Sequence, residues 1–177
     1  MVREAPLEQT EFGLVPKGEG WFVVNAKESR WLEHKAFGSG TKFEGDPEFK
    51  QLGINISVLE PGQPLCLYHR EDAQEDFLVL FGEALLLVEG KERTLRAWDF
   101  VHSPPLTDHV IVGAGEGPCA ILAVGARGPD EQLFYPGSEL ARRHGASSEK
   151  DTPDPKEAYA PFGRADQAPY RGQLDGS

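Results

Sequence analysis

The chain has 177 residues, enough for one domain with a substantial core and too few for two large ones. Its 29 Asp and Glu outnumber 18 Lys and Arg, and the resulting net charge of −11 repels phosphate backbones and anionic lipid, which disfavours nucleic-acid and membrane partners. No apolar run reaches the length of a membrane span and the first residues lack a signal-peptide core, so a cytoplasmic protein is expected; Cys66 and Cys119, with no CxxC spacing, are expected to be buried free thiols.

The run WFVVNAK within Gly18 to Lys27 reads as a strand and a polar turn, with Trp31 and Leu32 opening a short helix. Gly38 to Pro47 reads as a loop because of its glycines and the Asp46-Pro47 step. Gly53 to Glu60 alternates like a half-buried strand and stops at Pro61-Gly62. The segment from Pro61 to Gly90 reads as two adjoining strands. Since successive side chains on a strand point to opposite faces, Leu65, Leu67, His69 and Glu71 share one face, and Cys66, Tyr68 and Arg70 the other. Glu75, Phe77, Val79 and Phe81 lie together in the same way, opposite Asp76, Leu78 and Leu80.

Ala84 to Glu89 is a nearly continuous apolar strand, followed by a hairpin turn at Gly90-Lys91-Glu92 and a strand from Arg93 to Trp98. Asp99 to Ser103, His109 to Val112 and Cys119 to Val124 complete the series, separated by Pro104-Pro105 and the glycine-rich GAGEG. Short strands at this spacing, with Gly and Pro turns and no βαβ rhythm, indicate an all-β antiparallel sandwich or barrel. Ser138 to His144 has the marks of a short helix, with Ser138 as N-cap and basic residues at its end. From Gly145 onward the chain is polar and rich in proline; it is either a loose tail or, anchored by Tyr159, Phe162 and Tyr170, a segment that wraps a neighbour. The organisation expected is an N-terminal extension over residues 1–50, a barrel core over 51–127 and a C-terminal helix and tail over 128–177.

His69, Glu71 and Glu75 project from faces otherwise lined by large apolar groups. Buried carboxylates are costly unless a cation or a hydrogen-bonding partner compensates them, so a metal pocket is a reasonable expectation there. A hydrogen-bonded structural pair is the alternative. Phe77, Val79, Phe81, Leu65 and Leu67 serve as core, as walls of a ligand cavity, or as both. His102 shares a face with Phe100 and either lines the pocket or caps the barrel rim. Tyr68 and Arg70 are expected in contacts between sheets or subunits, and Leu78 and Leu80 need covering by a second sheet or a second subunit.

Gly62, His69, Glu75 and Gly82 fill four places of a motif that runs from glycine through His-x-His to glutamate and a second glycine, and Trp98-Asp99 through Pro105 to His109 resembles its companion motif. Together they resemble the cupin superfamily, and the flanking segments are similar to a bacterial single-domain group within it. The resemblance implies a double-stranded β-helix or jelly-roll barrel with a short flanking helix and an extended tail, and a homodimer. It also implies that His109 is a metal-binding histidine. The second histidine of His-x-His is replaced by Glu71, or by Arg70 in the other alignment; parity favours Glu71.

The resulting metal set is His69, Glu71, Glu75 and His109. Two imidazoles and a carboxylate suit non-haem Fe(II), and equally Mn, Ni or Zn. Glu71 is a fourth ligand, an acceptor that orients His69, or a general base. Three functions follow: a metal-dependent enzyme on a small organic molecule, of dioxygenase or isomerase/epimerase type; a non-catalytic binder of a small ligand; or an oligomeric scaffold. The fold itself hosts many activities and selects none of them.

Overall fold

The structure is a computed structural model, described over residues 1–129 and 132–175. Its strands in chain order are β1 (Leu7–Thr10), β2 (Gly13–Pro16), β3 (Trp31–His34), β4 (Gly38–Lys42), β5 (Leu52–Leu59), β6 (Arg70–Glu71), β7 (Glu75–Phe81), β8 (Glu83–Val88), β9 (Lys91–Arg96), β10 (Phe100–Ser103), β11 (His109–Ala114), β12 (Cys119–Ala126), β13 (Leu133–Phe134) and β14 (Asp166–Ala168). Two short helices, α1 (Glu139–Arg143) and α2 (Pro155–Ala158), lie between β13 and β14.

A seven-stranded sheet in the order β10-β7-β12-β5-β4-β3-β14 stands with a three-stranded sheet, β11-β8-β9, and every pairing within them is antiparallel. The main core draws on both sheets: Leu59, Phe77, Val79, Val101, Ile121 and Ala123 from the first, and Ala84, Leu86, Leu95 and Ile111 from the second. This is the antiparallel two-sheet barrel that the strand spacing indicates, in the jelly-roll form that the resemblance implies. The chain passes from one sheet to the other at Gly82, whose φ of +76° suits glycine, and where a Cβ would stand 2.5 Å from the Pro118 carbonyl oxygen. The β8–β9 hairpin turns at Glu89-Gly90, both with positive φ, which matches the right-handed twist of its strands.

β11 is apolar along its length because both of its faces are covered. Ile111 enters the main core, while Val110 and Val112 pack with Leu87, Tyr68, Ala141 of α1 and Ala146. Tyr68 is thereby an intrachain contact, its amide donating to the Ala146 carbonyl at 2.6 Å. Ser138 caps α1 as its sequence indicates, accepting from the Ala141 amide at 3.2 Å.

Several expectations are corrected. Gly18 to Lys27 contains no strand, only an isolated bridge from Trp21 to Glu4. Trp31 and Leu32 open β3 rather than a helix, and the glycine-rich stretch from Gly38 is β4 rather than a loop. Both are drawn into the sheet by pairing, β4 on β5 and β3 on β4, which outweighs weak local propensity. Residues 61–69 are irregular apart from bridges at Pro64 and His69, because prolines interrupt the ladder. Alternation along β7 breaks at a bulge, where Ala120 faces Phe81 but Ile121 faces Val79. Leu80 and Phe81 therefore both pack against the cluster around Trp31, Val58 and Ala120.

As far as residue 175 the C-terminal segment packs against its own chain. β14 pairs with β3, the Tyr170 ring lies 5.5 Å from that of Trp31, and Tyr159 and Phe162 pack with Leu67, Tyr135 and Phe37. No helix of the described residues is long and apolar enough to cross a membrane.

Candidate metal centre

His69 lies just before β6, Glu75 opens β7 and His109 opens β11. The backbones at 69 and 109 bond reciprocally, His109 N donating to His69 O at 2.8 Å and His69 N to His109 O at 3.1 Å, which sets the two rings with centroids 5.1 Å apart. Each imidazole is also oriented through Nδ1. In His69 it donates to the Leu67 carbonyl at 2.9 Å, and in His109 to the Thr107 carbonyl at 2.8 Å. A carbonyl only accepts, so Nδ1 carries the hydrogen in both rings and Nε2 is left to face the interior. There His109 Nε2 stands 3.0 Å and His69 Nε2 3.4 Å from Glu75 Oε2.

Among the described residues these three form a group whose donor atoms lie within 4.8 Å of one another, and such a group could hold a metal ion. His69 and His109 are buried and Glu75 nearly so. Burial would push the Glu75 carboxyl up, but the imidazoles of His109 and His69 outweigh it and hold the group at about 2. Burial would push His69 down, yet Cys66 and Glu75 raise it well above its ordinary value. The two shifts are coupled: the ionised Glu75 carboxylate favours positive charge beside it, whether as a proton on the imidazole or as a cation held by the donor atoms.

The donor set fits a divalent ion. Glu75 Oε2 and His109 Nε2 are buried without a hydrogen-bond partner, despite their 3.0 Å approach. An unsatisfied buried polar atom costs about 1–3 kcal/mol. Two donors bound at right angles to one ion, each at about 2.1 Å, lie about 3 Å apart, close to the observed separations.

Of the four donors expected, the structure thus brings three together and leaves Glu71 outside. Glu71 is buried, with its backbone paired to Leu133 of β13, and its side chain reaches toward Gly125 as that of Glu75 does: a Cβ on Gly125 would be 3.9 Å from Glu71 Oε1 and 3.7 Å from Glu75 Oε1. The strand alternation assumed from 65 to 71 holds only over Arg70–Glu71, so parity does not place Glu71 with His69.

A cavity of about 340 Å³ opens from His69 and Glu75 and is lined in part by Leu65, Phe77, Asn55, Ser57 and Tyr159. Leu65 and Phe77 therefore take the wall positions expected of them. Leu67, Val79, Phe81 and His102 do not. Leu67 is buried against Tyr135 and Ala158, Val79 is in the main core, and Phe81 is turned outward by the bulge. His102 is exposed on β10, its Nδ1 2.7 Å from Asp76 Oδ1. Arg70, expected between sheets or subunits, bonds Asp108 at 2.9 Å and stacks over Phe134 within the chain. A larger open groove of about 690 Å³ between His34 and Arg171 contains none of the three donors.

Sequence reasoning took Tyr159 and Phe162 as anchors of the tail but missed Tyr135 and the aromatic cluster they form beside His69. Tyr135 stacks on the His69 ring at 5.7 Å with 27° between planes, and Tyr159 stands edge-on to Tyr135 at 5.7 Å and to Phe37 at 5.4 Å. The available signal was the presence of large aromatics in an otherwise polar tail.

A family model described as a cupin domain matches residues 55–125. No protein of curated function matches the chain. Among solved structures, one from Acidithiobacillus ferrooxidans aligns at 27% identity over 48% of this chain and 55% of its own, with a TM-score of 0.46. This chain thus spans little more than half of that relative. A sugar phosphate isomerase of the cupin superfamily from Silicibacter pomeroyi aligns at 26% identity over 64% of this chain and 69% of that one, with a TM-score of 0.51. A cupin 2 domain-containing protein from Halorhodospira halophila aligns at 19% identity over 66% and 87%, with a TM-score of 0.50.

Proposed function

From the premise that this chain is a member of the cupin superfamily, with its cupin domain at residues 55–125, we propose that it holds a divalent metal on His69, Glu75 and His109 and uses it to bind and transform a small organic molecule. The observation that carries this reading is the buried pair Glu75 Oε2 and His109 Nε2, 3.0 Å apart and without hydrogen bonds. Two imidazoles and one carboxylate leave coordination positions open, and such a set suits Fe, Mn, Ni or Zn. A bound ion would supply Lewis acidity toward an oxygen of the ligand. Glu71, buried near Gly125 as Glu75 is, would serve as the general base on this reading, taking a proton from a carbon next to a carbonyl.

Isomerase chemistry is favoured over dioxygenase chemistry, supported by the likeness to the Silicibacter pomeroyi sugar phosphate isomerase. Exposed Trp98 and Phe100, beside the edge strand β10, support assembly as a homodimer. The test is elemental analysis of protein purified without chelators, followed by incubation of the metal-loaded protein with aldoses, ketoses and their phosphates, with dioxygen uptake followed in parallel. Stoichiometric metal with interconversion of a sugar pair is expected. Absence of metal refutes the reading. Stoichiometric metal with every candidate ligand recovered unchanged would replace catalysis by binding alone.

A further inference from the structure

The cavity is fenced by a residue that the barrel itself does not supply. Tyr159 follows α2, in the C-terminal segment, and lines the same cavity as His69 and Glu75. Its hydroxyl oxygen accepts from the Leu67 amide at 3.0 Å, and the carbonyl of that same Leu67 accepts from His69 Nδ1 at 2.9 Å. One buried residue therefore positions both the phenol and the metal-facing imidazole. The Tyr159 ring is fixed by edge contacts with Tyr135, Phe37 and Phe162 at 5.7, 5.4 and 6.4 Å. With its lone pair engaged by Leu67, the hydroxyl still has a hydrogen to give, and the bond from Leu67, in which it accepts, does not use that hydrogen.

We infer that the Tyr159 hydroxyl is the donor that receives an oxygen of the ligand in this cavity, and so selects small molecules carrying two vicinal oxygens, as in a hydroxy-carbonyl compound or a 2-hydroxycarboxylate. One oxygen is for the metal and its neighbour for the phenol. The inference rests on the metal reading above. Three observations support it. The remaining polar groups on the wall are mostly neutral, Asn55 and Ser57 among them, and Lys42 is exposed, so recognition falls to hydrogen bonds rather than ion pairs. Burial pushes the phenol well up, so it keeps its hydrogen at any ordinary pH. The aromatic clamp prevents the ring from swinging away, so little entropy is lost when a ligand binds.

The test uses the full chain loaded with Co(II), whose absorption bands report both metal and ligand binding, with glycolate as the two-oxygen probe and imidazole as a probe that ligates the metal without an oxygen acceptor. Tyr159→Phe is expected to weaken glycolate about tenfold, the size of a hydrogen bond to a charged group, while Co(II) and imidazole affinities stay as in the unsubstituted protein. Because this change also strips the Leu67 amide of its acceptor, a second variant carries 3-fluorotyrosine at position 159. The fluorinated phenol still accepts from Leu67 but donates more strongly, and glycolate binding should tighten several-fold. Glycolate affinity that is equal in all three proteins overturns the inference and leaves the metal site standing. A fall in imidazole affinity equal to that of glycolate overturns it too, since the phenol would then act only by supporting His69. Failure of the unsubstituted protein to bind Co(II) overturns both readings.

Discussion

Glu75 meets both imidazoles through one oxygen, Oε2, and each histidine meets the other two donors only because its Nδ1 is anchored to a carbonyl two residues back. Removing the carboxylate charge therefore costs the centre more than removing any nearby polar group outside it. Glu75→Gln, which keeps the shape, should lower divalent-metal affinity by more than about 100-fold, beyond the 10–100-fold that outer partners of a metal site command. His102→Ala should leave that affinity unchanged, since His102 is exposed and paired with Asp76 on the outside of the barrel. Competition for metal against a coloured chelator measures both; equal losses in the two variants would contradict this assignment. His69, Glu75 and His109 were legible in the sequence because two motifs placed them. Glu71 was misplaced because alternation was assumed through residues 61–69, where the prolines break it.

The strands β5, β7, β8, β11 and β12 were readable because buried faces impose an apolar pattern on them, whether alternating or continuous. β3 and β4 were not. WLEH has no alternation, and GSGTK owes its extended form to pairing with Asn55 through Val58 rather than to any preference of its own. The bulge at Leu80 likewise has no local mark, and it alone decides that Phe81 faces Trp31 rather than the cavity. The corner at Gly82 is the element boundary on which both sheets depend. Gly82→Ala forces an L residue to φ +76° and drives its Cβ against backbone atoms of Pro118 and Cys119 at 2.5 and 2.7 Å. The left-handed conformation alone costs about 1–2 kcal/mol, and the clash adds to it. A urea midpoint indistinguishable from that of the parent protein would show that the corner relaxes freely.

Across the whole molecule, the segment before β5 is tied to the end of β12 by a buried ion pair. The Arg127 guanidinium donates to both oxygens of Glu44 at 2.8 Å and to the Phe49 carbonyl at 2.7 Å, while the Phe49 amide donates to Glu44. Hydrogen bonding from Arg127 holds the Glu44 carboxyl below its usual range of about 4.5, against the opposing effect of burial. A depressed carboxylate contributes stability that is full above its unfolded value and is lost as pH falls through its lower native one. Urea unfolding should thus weaken progressively below about pH 4.5, and Arg127→Met should flatten that acid limb while lowering stability at pH 7. Parallel acid limbs in the two proteins would rule out this pair as the cause.

Because Tyr135, Tyr159 and β14 all follow β12 in the chain, a ribosome produces His69, Glu75 and His109 before the aromatics that pack on His69 and line the cavity. On the metal reading, that order would let an ion reach the three side chains before β14 pairs with β3 and Tyr159 takes its place on the cavity wall. Metal loading and ligand selection would then be separated in time by position along the polypeptide alone.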